Sequence, residues 1–344
     1  MAAKQRLYWI DTTKTICIIC VYYAHCVAFT VKDPNIKNFV NPFYVNTFFF
    51  ISGYLLYKKY LQEHIIENFT LQTYWNAIKN CICRIVIPTI IFSFIISVPK
   101  ATFHDLTIDY KTIFVDILGG CSFWFTSALA VAQIAILTLF LQKKKSILFY
   151  FIITFIIFIT IQTTNDFTPK PARYYFPWYY RTGLIYMFII TMGGVYQAYE
   201  KKIEHFINKG GIFLAIIVII LTYTYLYCNK DIAFIGLSGR CTTLGFWGII
   251  CSILLLIRLV KHCNIHNRIT NDIGQNSIIF YFLSGAVPNT IAVLLKKIAN
   301  SYTLLIFTFI TSVIISYLIV LFINKYLPFL IDIRRIKEFG RNNK

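Results

Sequence analysis

A peptide group inside hydrocarbon has no water to bond to. A chain made of long apolar runs therefore crosses a bilayer only where its backbone bonds to itself. This sequence has such runs along nearly its whole length. Read for about 17–25 apolar residues per span, it gives about ten candidates: 15–31, 43–57, 81–98, 123–141, 147–161, 183–199, 211–228, 242–260, 273–295 and 304–326. The second and fifth are the shortest. The second is read as extended at its start through Phe39 and Val40. The predicted fold class is all-α, a polytopic membrane helix bundle. It is read as one integral-membrane domain over 1–344, with spans from about 15 to 326 and no internal repeat.

The net charge of +19 invites a nucleic-acid reading, but the positions of the charges exclude it. Only 14% of residues are charged and 58% are hydrophobic, whereas a soluble domain has about 25% charged residues. The cations fall in short clusters between the apolar runs, such as Lys143, Lys144 and Lys145, or Lys201 and Lys202. With the N-terminus inside, about two-thirds of the 33 Lys and Arg fall on the cytoplasmic side. That bias places both termini in the cytoplasm and makes the number of spans even, with eight as the alternative count. The basic N-terminus followed by an apolar run, with no small-residue cleavage site, reads as an uncleaved first span. Cys17 and Cys20 form a C-x-x-C within the first span, with no second pair near them, and read as small hydrophobes. His262, Cys263 and His266 lack a carboxylate partner, and no metal site is expected.

The stretch Arg6 to Cys26, the head of the first hydrophobic segment, carries charge where lipid should reject it. Asp11, Lys14 and His25 are its polar members. Eleven residues from Lys14 to His25 make three helical turns plus roughly 20°. Asp11 and Lys14, three apart, also share a side. One stripe therefore runs Asp11, Lys14, Ile18, Val21, His25, with a charged foot and an imidazole about 16 Å further along. An ionisable residue at that depth marks a functional site. The plainer alternative is a positive-inside anchor and a histidine bonded to a neighbouring helix.

Four other places can carry chemistry. Arg84, one turn before Pro88, is suited to bidentate phosphate binding, or is a snorkelling interface residue. Trp124 opens the fourth span on the outer side. The loop after the fifth span holds Trp178 and several tyrosines among Arg173 and Arg181. It reads equally as an interfacial aromatic belt or as a platform for a sugar. Asn276 and Ser277 enter the ninth span, which then carries Gly285 and Pro288, a pattern that kinks a helix toward a cavity or makes a plain packing kink. Ser52 and Gly53 in the second span favour close helix approach over catalysis.

The run WIDTTKTICIICVYYAHC resembles the opening of the membrane-bound acyltransferase-3 family, the O-acetyltransferases of bacterial polysaccharides. That family starts with Arg or Lys, then ten residues, then His, which Lys14 and His25 match. FFFISGYLLYK, CRIVIP, SFWFTSAL and IGQNSIIFYFL resemble later landmarks, in order, from about residue 6 to 330. The short form resembles the fucose 4-O-acetylase-like branch. Two departures stand out: Cys81 replaces a frequent second arginine, and Ser284 a frequent histidine. The resemblance implies a multi-pass protein of the bacterial cytoplasmic membrane. It implies a cytoplasmic acyl-CoA donor, most simply acetyl-CoA, and a carbohydrate acceptor, a surface polysaccharide or a lipid-linked sugar. On that reading His25 and Asp11 are the catalytic residues, His25 as general base, with Asp11 orienting Lys14. Lys14, Arg6 and Arg84 hold the donor's phosphates. Trp124, Arg173, Trp178, Arg181, Asn276 and Ser277 meet the acceptor. A non-catalytic exporter or flippase of a polysaccharide or lipid-linked sugar is the alternative, and a structural subunit of an envelope-synthesis complex a weaker one.

Overall fold

The computed structural model describes residues 7–31, 40, 43–62, 65–103, 116–164, 177–228, 243–265, 267–296 and 301–336. Among these residues the regular structure is helical: α1 Tyr8–Phe29, α2 Tyr44–Tyr57, α3 Leu71–Cys81, α4 Ile87–Phe103, α5 Trp124–Phe140, α6 Ile147–Thr164, α7 Tyr180–Phe206, α8 Ile212–Cys228, α9 Thr243–Cys263, α10 Arg268–Gln275, α11 Ser277–Leu295 and α12 Ser301–Tyr326. Among the described residues seven helical stretches are long and apolar enough to cross a membrane. One of them, Pro177–Thr224, holds two expected spans in 48 residues. The backbone leaves helical geometry at Tyr199 and again at Gly210, whose φ of 122° suits glycine. Apolar side chains stay exposed along α6, α8 and α12, including Ile156, Phe213 and Leu318. Such faces fit lipid and not water. The chain is an all-α, multi-pass membrane protein.

Several boundaries differ from expectation for physical reasons. The second span is lengthened at its end, where a π turn over Lys58–Gln62 continues α2. Its helix starts at Tyr44, Val40 lies in a turn, and Phe39 is outside the described residues. The third span begins earlier than expected, because α3 runs into α4 through a π turn at Ile82–Val86. Pro88 has no N–H for the carbonyl of Arg84. The Ile87 N–H bonds Ile82 O, the wider i→i−5 step. At the ninth span the apolar helix starts only at Ser277. Ile273 belongs to the short amphipathic α10, which Asn267 and Thr270 cap reciprocally. α11 then runs through Pro288 as one helix.

The structure divides into two compact units, Met1–Ile51 with Glu200–Val320, and Ser52–Tyr199 with Leu321–Lys344. In the first, α1 packs on α9, α10 and α11. Thr12 Oγ1 donates to Ile265 O at 2.6 Å, and Thr15 Oγ1 to Thr270 O at 2.6 Å. Tyr22 OH donates to Phe280 O at 3.0 Å. Where α1 crosses α10 only glycine fits, because a Cβ on Gly274 would lie 2.2 Å from Asp11 O. The middle of the buried stripe of α12 in this unit, between Leu304 and Val320, is small and polar: Thr308, Ser312 and Ser316 are all 0% exposed. Small residues at one-turn spacing let backbones approach closely where hydrophobic driving force is absent.

In the second unit hydrogen bonds join the helices across apolar surroundings. Gln133 Nε2 of α5 donates to Ser52 Oγ of α2 at 2.7 Å. Thr89 Oγ1 of α4 donates to Thr126 Oγ1 of α5 at 2.9 Å. Gly53 touches the backbone of α7, with a Cβ position 1.8 Å from Ile190 O. The Ser52-Gly53 pair thus serves close packing and an interhelical bond together.

Backbone cannot yield as a flexible side chain can, so Gly274→Ala should lower stability by about 1–3 kcal/mol or more. Gly285→Ala is the control. A Cβ there meets nothing within 4 Å, and removing a helical glycine is neutral or stabilising by up to about 1 kcal/mol. Thermal unfolding of both variants in detergent micelles checks the contrast.

Candidate functional site

The first helix presents its polar stripe as the spacing predicts. Asp11 is buried, at 7% exposure, while Ile18 and Val21 are 2% exposed each. Lys14 and His25 are half-buried. The His25 ring stacks on Phe29, one turn on, with centroids 6.0 Å apart and planes 21° apart. The threonine bonds and the Gly274 contact fix α1 at the level of Asp11 and Lys14. Arg6 lies outside the described residues.

One cluster in this unit escaped the sequence reading. Lys261 Nζ of α9 bonds Glu200 Oε1, and Glu204 Oε1 at 2.6 Å, both on α7, and lies 4.7 Å over the Trp9 ring. These side chains are only 17–32% exposed. Beside them is a hollow of about 290 Å³ lined by Leu7, Tyr8, Trp9, Val260, Lys261, Asn264 and Ile265. The available signal was the four-residue spacing of Glu200 and Glu204 just past an apolar run. It names no cation as partner.

At the other end of the same unit's motif, Asn276 Nδ2 turns back to Asp272 O at 2.8 Å. Asn276 O receives the Ile279 and Phe280 amides. Asn276 thus serves the break between α10 and α11. Ser277 is buried at 6% exposure, and Ser284 Oγ bonds Tyr281 O at 2.7 Å.

In the second unit Arg84 meets an unexpected carboxylate. Its Nε donates to Asp332 Oδ2 at 3.2 Å, while its side chain stays 68% exposed. Asp332 also accepts from Arg334, at 2.8 Å from Nε and 2.5 Å from Nη2, and from the Arg334 amide at 3.1 Å. Arg334 Nη1 reaches on to Asn80 Oδ1 on α3. The Arg334 guanidinium first, then Arg84, outweighs burial and holds the Asp332 carboxyl at about 2. Lys79 nearby in sequence is exposed.

The aromatic positions of this unit are partly committed to structure. Trp178 and Tyr179 have φ of 58° and 48°, a strained backbone for non-glycine residues. Trp178 N donates to Gly119 O at 2.6 Å, its Nε1 to Leu118 O at 2.9 Å, and Tyr179 OH to Cys121 O at 3.3 Å. Both rings remain half-buried, so stacking faces persist even though these polar atoms are engaged. Trp124 packs near Tyr186 at 6.4 Å between centroids. Arg181 is half-buried at the start of α7, and Arg173 lies outside the described residues. His25, Lys14, Asp11, Asn276 and Ser277 thus belong to one unit, and Arg84, Trp124, Trp178 and Arg181 to the other. Among the described residues no three His, Cys, Asp or Glu group as metal ligands.

The acyltransferase-3 family, an acyltransferase domain, matches the chain over residues 7–321, and the chain belongs to that family. It is a membrane acyltransferase by family. No curated protein and no solved structure gives a significant match.

Two outcomes follow from the ion pairs. Asp332 has a lowered folded-state pKa, so its contribution is complete above the unfolded value near 3.8 and is lost only as pH falls toward about 2. Melting temperatures of Asp332→Asn and the parent should therefore differ by a constant amount from pH 5 to 8 and converge below pH 3. Lys261→Met leaves two half-buried carboxylates facing each other. It should cost about 1–3 kcal/mol, and Glu204→Gln should restore part of that in a double variant, read by thermal unfolding.

Proposed function

We propose that this chain transfers an acetyl group from acetyl-CoA to a carbohydrate hydroxyl of a bacterial surface glycan or its precursor. It does so in the cytoplasmic membrane, with about ten spans and both termini in the cytoplasm. The observation that carries this reading is α1: a membrane-crossing helix that keeps an imidazole half-buried on the same stripe as Asp11 and Lys14. Lipid-facing helices exclude such groups unless they serve function.

On this reading neutral His25 takes the proton of the acceptor hydroxyl as its oxygen attacks the thioester carbonyl. The carbon–sulfur bond then breaks, and the imidazolium returns the proton to the leaving thiolate. A covalent acyl-His25 route would use the same residue. The ring plane that Phe29 imposes favours one line of approach. Lys14, Arg6 and Arg84 bind phosphates of the donor, and Asp11 orients Lys14. Trp124, Trp178, Arg173 and Arg181 supply stacking faces and donors for the sugar, with Asn276 and Ser277 as further contacts.

His25→Ala, checked for normal membrane insertion, should lower transfer of labelled acetyl from acetyl-CoA into the glycan fraction of membrane vesicles by about 10²–10⁴-fold. Wild-type vesicles that consume no acetyl-CoA while glycan still crosses the membrane in the variant would replace this reading with a glycan exporter.

A further inference from the structure

We propose that Asp332 is a positioning residue for Arg84. It holds the guanidinium so that its two terminal nitrogens face an anionic ligand, the phosphate groups of coenzyme A. The inference rests on the reading of Arg84 as a donor-binding residue.

Asp332 lies beyond the residues 7–321 that the family match covers. It arrives from the segment after α12, where it caps a short turn at Ile333–Arg335. Its contact with Arg84 uses Nε alone. The Arg84 Nη1 and Nη2 make no hydrogen bond among the described residues, and the side chain is 68% exposed. A guanidinium is planar, so fixing Nε to a carboxylate fixes the plane and the direction of the remaining edge. Two parallel N–H donors match two phosphate oxygens. The carboxylate does not cancel the attraction, because Arg84 and Arg334 share it and one positive charge remains. Arg334 in turn grips Asp332 through both oxygens and ties it to Asn80, so the carboxylate is itself held.

An exposed arginine with free rotamers loses that freedom on binding, which weakens affinity. Arg84 meets the ligand already ordered. The π turn beneath it adds to this: Pro88 sets the turn, the turn sets the Arg84 Cα, and Asp332 sets the guanidinium.

The test is coenzyme A binding by the purified full-length protein in detergent, by titration calorimetry. No acceptor is needed. Arg84→Ala, Asp332→Asn and the double variant are compared with wild type. Asp332→Asn should weaken Kd about tenfold, the factor carried by one charge-assisted hydrogen bond. In the Arg84→Ala background the same change should be silent, because its effect runs through Arg84. Asp332→Glu should recover most of the affinity, and Asp332→Ser replaces Asp332→Asn in the cycle if the asparagine variant does not accumulate in the membrane. Equal losses from Asp332→Asn with and without Arg84 would reduce the contact to tail anchoring and overturn the proposal. Arg84→Ala weakening binding while Asp332→Asn does not would overturn it and leave the donor reading standing. Wild-type and Arg84→Ala proteins with the same Kd, or neither binding, would remove the donor role of Arg84, and this proposal with it.

Discussion

Every helix here answers one demand: a peptide group in hydrocarbon must find its partner within protein. Inside a helix the ladder meets that demand, so the difficulty moves to the places where ladders stop or shift. The joint between α9, α10 and α11 shows how it is met. Carbonyls at Ile265 and Thr270 receive hydroxyls from Thr12 and Thr15 of α1. Asn276 closes the gap between α10 and α11 with both its side chain and its carbonyl. The helix that carries His25 is thus oriented by other helices' breaks. The placement of the foot of that helix, at Asp11 to Thr15, follows from polar contacts at the joint and not from apolar packing alone.

What was legible in the sequence was what lies close together along it. Apolar runs marked the helices, since length and hydropathy are local properties. The Asp11, Lys14, His25 stripe was legible because one helix has one period. The π turn before Pro88 and the α10–α11 break were not, since both depend on which carbonyl finds which donor. The spacing around Pro288 points to a kink, toward a cavity or for packing, and α11 passes through it as one helix.

The ion pairs lay further out of reach. Arg84 and Asp332 are 248 positions apart, and Lys261 lies 61 and 57 positions from its two glutamates. No spacing rule links such residues, and each alone resembles an interfacial charge. The two clusters are also opposite in kind. At Lys261 two carboxylates surround one ammonium, which is half-buried and turned toward an indole. At Asp332 two guanidinium groups surround one carboxylate, and one of them reaches solvent. The first ties α7 to α9 through a cation that two carboxylates hold. The second leaves a cation on offer.

The long separation of Arg84 and Asp332 also orders events in time. Synthesis runs from the N-terminus, so Arg84 enters the membrane surroundings well before its carboxylate exists. During that interval the arginine has neither Asp332 nor Arg334 beside it. The contact closes only after α12 has been made and the chain has turned back at Pro328–Leu330. The segment following α12 therefore sets the timing, and whatever Arg84 binds meets an ordered side chain only once the chain through Arg334 has been made.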